Sequence, residues 1–311
     1  MVQYLKLRES DIHKITSKYE LNPVDYEPIE EGAGNTSYLV RTTKNQYVLT
    51  IFEIEQIRVA KLCKLLYLLE EFDFPTTRIQ KLANGDKTTN YQGKPVLLKP
   101  YIIGHVKKQL DENMVSQIGE VMAILHEIPN PDFLPARHAY GLQTFPRVME
   151  KGINQEYENW LAQRYDYLKN NIPVGLSRGL IHGDLFYDNV LFDGKEFKAI
   201  IDFEEACQYY KLFDLGMAVV GLCTKDSKVK LNKVRSLVKG YQRIRILEEQ
   251  EKGSLQLFVE YAAIATSSWR FWKYNIDTPI AEESDKYMQM VNIANNAGAI
   301  PNALFMSTIF A

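Results

Sequence analysis

The stretch Leu180–Gly216, LIHGDLFYDNVLFDGKEFKAIIDFEEACQYYKLFDLG, constrains this chain more than any other. Four polar residues in it, His182, Asp184, Asn189 and Asp202, are set among segments whose apolar content marks them as buried β-structure. A buried polar group costs free energy unless it has a partner, so four together call for a common purpose. After Asn189, Val190-Leu191-Phe192 reads as a strand, Asp193-Gly194 as a tight turn and Phe197–Ile201 as the returning strand. Antiparallel pairing of that hairpin predicts Asn189 and Asp202 at one end, with the preceding loop placing Asp184 beside them. Asp188, Asp193 and Gly194 also suit plain turns, but turns do not require the whole spacing.

Phosphoryl transfer does require it. Asp184 and Asn189 enclose four residues and His182 precedes the Asp by two, the spacing of the protein-kinase loop H-R-D-x-x-x-x-N. An alcohol attacking a γ-phosphate needs a carboxylate to orient it and take its proton, the role read for Asp184. Magnesium is a hard cation that takes oxygen ligands, which suits Asn189 and Asp202.

The segments HGDLFYDNVLF, IIDFEEA and FDLG resemble the aminoglycoside phosphotransferase and choline kinase superfamily, small-molecule kinases with a protein-kinase-like fold. Within it, the likeness is greatest to type II homoserine kinases, carried also by EEGAGNTSYLVRTTKNQYVLTIFE and by Arg270-Phe271-Trp272. The resemblance covers most of the chain. It implies an α+β, bilobal fold: residues 1–103 as a nucleotide-binding lobe of antiparallel sheet plus helix, and 104–311 as a larger, mostly helical catalytic lobe. It implies ATP and Mg²⁺ as cofactors, and a supporting role for His182 and for Asp214 beneath the catalytic loop.

Taken in order, the chain opens with a Ser10-Asp11 cap and a helix over residues 10–20. Strands are expected near 26–29, 37–42 and 47–52, with a glycine loop over Gly32, Gly34 and Asn35 that can bring backbone N–H groups to phosphate. A glycine pair at a hairpin is by itself more often only a turn. Thr50 stands where protein kinases place a phosphate-binding Lys; it reaches phosphate through its hydroxyl or merely lines the cleft. A helix over 55–72 ends before Pro75, and short strands flank the turns at Asn84-Gly85 and Gln92-Gly93. Val96–Gly104 reads as the last strand running into a hinge; the resemblance makes Lys99 and Tyr101 candidates for adenine through their backbone groups. Helices follow over 114–126, around Trp160, and at about 227–246, 254–275 and 282–297. His126 reads as structural, Asp214 as a helix cap, and the basic run Lys225–Arg235 as a solvated face.

Composition narrows the class. Hydrophobic residues make up 46% and charged residues 24% of 311, an ordinary globular balance, and a net charge of −2 gives no basic surface for nucleic acid. No apolar run reaches membrane-spanning length, no signal-peptide core opens the chain, and three scattered cysteines suggest neither a disulfide framework nor a zinc site, so a cytoplasmic location is expected. Gly183 stands where many protein kinases carry an Arg, and 202–214 leaves no room for an activation loop, which favours a small hydroxylated substrate over a protein. Glu204 and Glu205 offer carboxylates to an ammonium and Arg270 offers a cation to a carboxylate, a pairing suited to homoserine; each equally fits a salt bridge. Choline, ethanolamine or an aminoglycoside is the alternative substrate, and a catalytically silent nucleotide- or partner-binding protein the alternative of another class.

Overall fold

The computed structural model describes residues 5–29 and 35–310. The chain forms two compact units, Met1–His105 with Lys198–Glu204, and Val106–Phe197 with Glu205–Ala311.

The first unit begins with α1 (Glu9–Thr16), which starts a residue earlier than the Ser10-Asp11 cap implies because Asp11 reaches back to accept the Arg8 N–H at 2.9 Å. Next come β1 (Asp25–Ile29), β2 (Thr36–Arg41), β3 (Gln46–Ile51), α2 (Gln56–Glu71), β4 (Thr89–Tyr91) and β5 (Lys94–Pro100). The strands form one antiparallel sheet in the order β1-β2-β3-β5-β4. Strand alternation sorts its residues. Tyr38, Val40, Leu49, Ile51, Val96 and Leu98 join Ile12 and Ile15 of α1 in a core on one face. Ser37, Leu39, Val48, Thr50, Leu97 and Lys99 share the other. Of the two expected turns only Gln92-Gly93 separates strands, with both residues in the left-handed region at φ +51° and +79°. Residues 77–83 are not a strand: Gln80 donates to the Leu98 carbonyl at 2.8 Å, and the chain then folds locally about Gly85.

β6 (His105–Val106) spans the boundary in the chain, and the second unit then contains α3 (Glu112–Glu127), α4 (Gln155–Asn171), β7 (Arg178–Ile181) and β8 (Val190–Asp193), from which the chain turns at Gly194-Lys195, one residue beyond the expected Asp193-Gly194, into β9 (Glu196–Ile200). From Lys198 within β9 to Glu204 the chain belongs to the first unit, where Ile200 donates to the Pro75 carbonyl and Phe203 meets Phe74 edge-on. Then follow β10 (Cys207–Tyr210), paired antiparallel with β7, and α5 (Lys211–Leu222). The hairpin of β11 (Thr224–Lys225) and β12 (Lys228–Val229) takes up the start of the basic run, so α6 (Leu231–Tyr241) begins later than its periodicity suggests. α7 (Glu249–Phe271), α8 (Lys286–Gly298) and α9 (Asn302–Ile309) complete the unit, α9 being a helix that the sequence pattern does not announce. α7 is buried on nearly every side and forms the centre of this unit, with α5 and α8 against it. Two crossings are closer than side chains permit. A Cβ on Gly216 of α5 would stand 2.2 Å from the Phe258 carbonyl oxygen, and one on Gly240 of α6 would stand 1.9 Å from that of Ser116 in α3.

Candidate active site

Between β7 and β8 the chain turns sharply at Gly183, whose φ of +87° lies in the left-handed region. A Cβ there would meet His138 Nε2 at 2.7 Å and the Glu205 carbonyl at 2.8 Å, so the position next to the candidate base admits only glycine. Asp214 braces the turn from below. Its Oδ1 accepts the Gly183 N–H at 2.7 Å and its Oδ2 the His182 N–H at 3.0 Å. Asp214 is thus not a helix cap but sits where the resemblance puts it, beneath the loop: it lies inside the first turn of α5 and directs its carboxylate at the residues that follow β7 instead of at its own helix. His126 Nε2 lies 3.1 Å from Asp214 Oδ2, and its Nδ1 lies 2.8 Å from the Tyr241 hydroxyl. Burial pushes the Asp214 carboxyl up, but the His126 hydrogen bond, the His126 and His182 rings and the Gly183 amide more than reverse this and hold it below the usual carboxylate range.

Two histidines complete the loop. His182 Nδ1 accepts the Asp184 N–H at 3.2 Å. His138, on the segment between α3 and α4, accepts the Tyr140 N–H at Nδ1 and so carries its proton on Nε2, 3.0 Å from the Gly183 carbonyl. Burial pulls its pKa down to about 4, which keeps the ring neutral. The sequence gives no sign of His138, because its partner is 45 residues away.

Asn189 ends a short turn, and its Nδ2 donates to the Asp184 carbonyl at 2.7 Å. The amide is thus oriented with Oδ1 as the acceptor, a fit for a hard cation. Arg270, in the last turn of α7, donates to Gln289 Oε1 at 3.0 Å and to the Lys286 carbonyl at 3.2 Å. Burial draws its pKa down, while Tyr274, Asp184, Asp188 and Glu283 act against that, which places its guanidinium in the field of the candidate base. The π-helix Trp272–Asp277 follows directly, and Arg147, another cation the sequence does not single out, stacks on Trp272 with 4.0 Å to the ring centroid. Glu205 belongs to this same unit.

The remaining candidates lie in the first unit. Gly32 and Gly34 fall outside the described residues. Asn35, at the end of their loop, donates through Nδ2 to Glu204 Oε1 at 2.6 Å and accepts the Glu53 N–H at 3.1 Å. Glu204 is thus engaged with Asn35. Asp202 is exposed and holds φ +66°, a conformation that L residues adopt at a cost. Thr50 is buried, its hydroxyl 3.4 Å from that of Ser37. Lys99 lies inside β5, opposite Val48, and Tyr101 just beyond the strand donates its N–H to the Gln46 carbonyl. Among the described residues no three His, Cys, Asp or Glu side chains gather as a metal site. An ion bound largely by phosphate oxygens needs only one or two protein ligands.

Residues 25–247 match the model of the phosphotransferase enzyme family. The chain belongs to that family. It is 27% identical over 278 residues to a homoserine kinase of Agrobacterium fabrum, covering 85% of each chain. Among solved structures it shares its fold with a microcompartment-associated aminopropanol kinase, at a TM-score of 0.74, 19% identity and coverage of 94% and 97% of the two chains. An amicoumacin kinase in complex with AMP-PNP, Ca²⁺ and Ami gives the same TM-score at 14% identity, covering 96% and 95%. This is a small-molecule kinase fold, with an antiparallel N-terminal sheet and a helical C-terminal region. Among the described residues no helix is long and apolar enough to cross a membrane.

Proposed function

We propose that this phosphotransferase moves the γ-phosphoryl group of MgATP to the side-chain hydroxyl of L-homoserine. The observation that carries the reading is Arg270: a half-buried guanidinium in the same unit as Asp184 and within its electrostatic reach. A substrate with a carboxylate a few bonds from its hydroxyl would pair with the one and present the other. The homoserine kinase relatives support it.

Asp184 orients the hydroxyl and accepts its proton as the new O–P bond forms and the bond to the ADP oxygen breaks. The bracing of Gly183 and His182 by Asp214, and of Gly183 by His138, holds Asp184 ready. Asn189 Oδ1 and the Asp202 carboxylate are the oxygens that would hold magnesium, whose charge would offset that of the phosphates. Asn35 stands on the phosphate side, and Tyr101 borders the adenine. Glu205 is the carboxylate for the substrate ammonium.

A second reading has one observation of its own. Trp269 lies between Tyr140 and Tyr274, with ring centroids 5.8 and 6.1 Å away, beside Arg270 in the chain; aromatic faces attract ammonium groups and favour an amino alcohol. The deciding experiment measures MgATP-dependent ADP release with L-homoserine, 3-aminopropan-1-ol, ethanolamine and choline, in the parent and in Arg270→Ala. Turnover of homoserine that collapses in Arg270→Ala, mainly through KM, is the expected result. Turnover of the amino alcohols alone, untouched by Arg270→Ala, would replace homoserine with an amino alcohol.

A further inference from the structure

Position 50, where protein kinases carry the Lys of strand β3, is Thr, and its short side chain is 3% exposed against Ser37. The charge that a nucleotide's phosphates require has to come from elsewhere. The same face of the sheet carries two cations, Arg41 and Lys99, and Arg41 is already paired with Asp25 and Glu27. Lys99 stands directly opposite Val48 and Leu97 opposite Thr50, so Lys99 is the diagonal neighbour of position 50 on the shared face, a separation that a long side chain spans. The other lysine of β5, Lys94, is already paired with Glu53 at 2.6 Å.

Lys99 is half-buried, and among the described residues its ammonium makes neither a hydrogen bond nor an ion pair. The Asp202 and Glu204 carboxylates act on its charge from further off. Glu204 is fixed by Asn35 at the end of the glycine loop. An ammonium set into a sheet face with carboxylates near but not touching is incompletely compensated, and an anion placed beside it gains accordingly.

We infer that Lys99, on β5, supplies the phosphate-binding cation that this chain lacks at Thr50 on β3, and that Glu204, held by Asn35, is the carboxylate that orients it. This rests on the kinase reading above. It assigns Lys99 to phosphate rather than adenine, and Glu204 to the nucleotide side of the reaction rather than to the substrate ammonium.

The test compares binding of ATP, ADP and adenosine by calorimetry, with magnesium and without acceptor, in the parent, in Lys99→Met and in the double variant Lys99→Met/Thr50→Lys. In Lys99→Met, ATP should bind on the order of tenfold to a hundredfold more weakly, the loss of one charged hydrogen bond, while adenosine binds as before. Unchanged adenosine binding also shows that the variant is folded. Restoring the charge from β3 in the double variant should recover much of the ATP affinity. An equal loss for adenosine and ATP would make Lys99 a wall of the adenine pocket, and no loss for either would remove it from the site; both overturn the inference while leaving the kinase reading intact. A parent that binds no ATP overturns both.

Discussion

At the scale of single residues, backbone geometry at two positions decides what the loop can do. Gly183 has no space for a methyl group and no freedom to move, since His138 and the Glu205 carbonyl bound it on either side of a left-handed turn. Gly183→Ala should therefore cost about 2–4 kcal/mol of stability, combining backbone strain with overpacking, and should lower kcat by displacing Asp184. Denaturant titration and initial rates read the two effects separately. Asp202 presents the opposite balance. Its φ of +66° is unfavourable for aspartate and easy for glycine, so Asp202→Gly should leave stability unchanged or raise it by about 0.5–1 kcal/mol while abolishing metal-dependent turnover. A variant that is both less stable and still active would show that the conformation serves packing and not the metal.

At the scale of elements, glycines in the second unit divide by what surrounds them. Gly240 lies where α6 crosses α3, its hydrogens facing the Ser116 carbonyl, and Gly119 of α3 faces the Leu237 carbonyl in the same way. Backbone touches backbone here, so a methyl group can enter only by separating the helices. Gly240→Ala should destabilise by more than about 3 kcal/mol. Gly253, on the exposed side of α7, meets nothing within 4 Å; Gly253→Ala should stabilise by about 0.5–1 kcal/mol through helix propensity alone. Thermal melts of the pair check both signs. A similar shift for the two variants would mean that the crossing is looser than the geometry says.

At the scale of the whole molecule, two buried groups bend the pH dependence of stability in opposite directions. His138 falls from 6.5 to about 4 through burial. The unfolded chain then binds a proton that the folded one refuses, so this group contributes stability that is lost as pH drops from 6.5 towards 4, on the order of 3 kcal/mol in full. Glu260, buried in α7 with Arg164 3.7 Å away, rises from 4.5 to about 7, chiefly through burial. Here the folded state keeps the proton, and stability is lost as pH climbs from 4.5 to 7, by a similar amount. Relative to the parent, His138→Gln should be less sensitive to acid over that range, and Glu260→Gln should gain most at neutral pH. Urea titrations at pH 4.5, 5.5 and 7 would reveal identical profiles if neither group titrates as described. The topology adds a further expectation. Because Lys198–Glu204 completes the first unit, a fragment of residues 1–105 lacks the partners of Pro75 and Phe74 and should not fold cooperatively by itself, as a denaturant transition would show.

Much of this was legible in the sequence for a definite reason. The strands of the sheet, α2, α3, the turn after Asp193 and the spacing of His182, Asp184 and Asn189 follow from steric preference and periodicity among neighbours a few residues apart, which the chain carries wherever it is placed. The sequence by itself therefore determined the fold class, the family and the identity of the loop's polar residues. Only the tertiary structure decided who holds them. His138 reaches Gly183 across 45 residues, His126 reaches Asp214 across 88, and Asn35 reaches Glu204 across 169. The resemblance already put Asp214 beneath the loop, but its partners, the His182 and Gly183 amides and His126, and the sheet face that Lys99 shares with Thr50, were set by position in space, which no local pattern records.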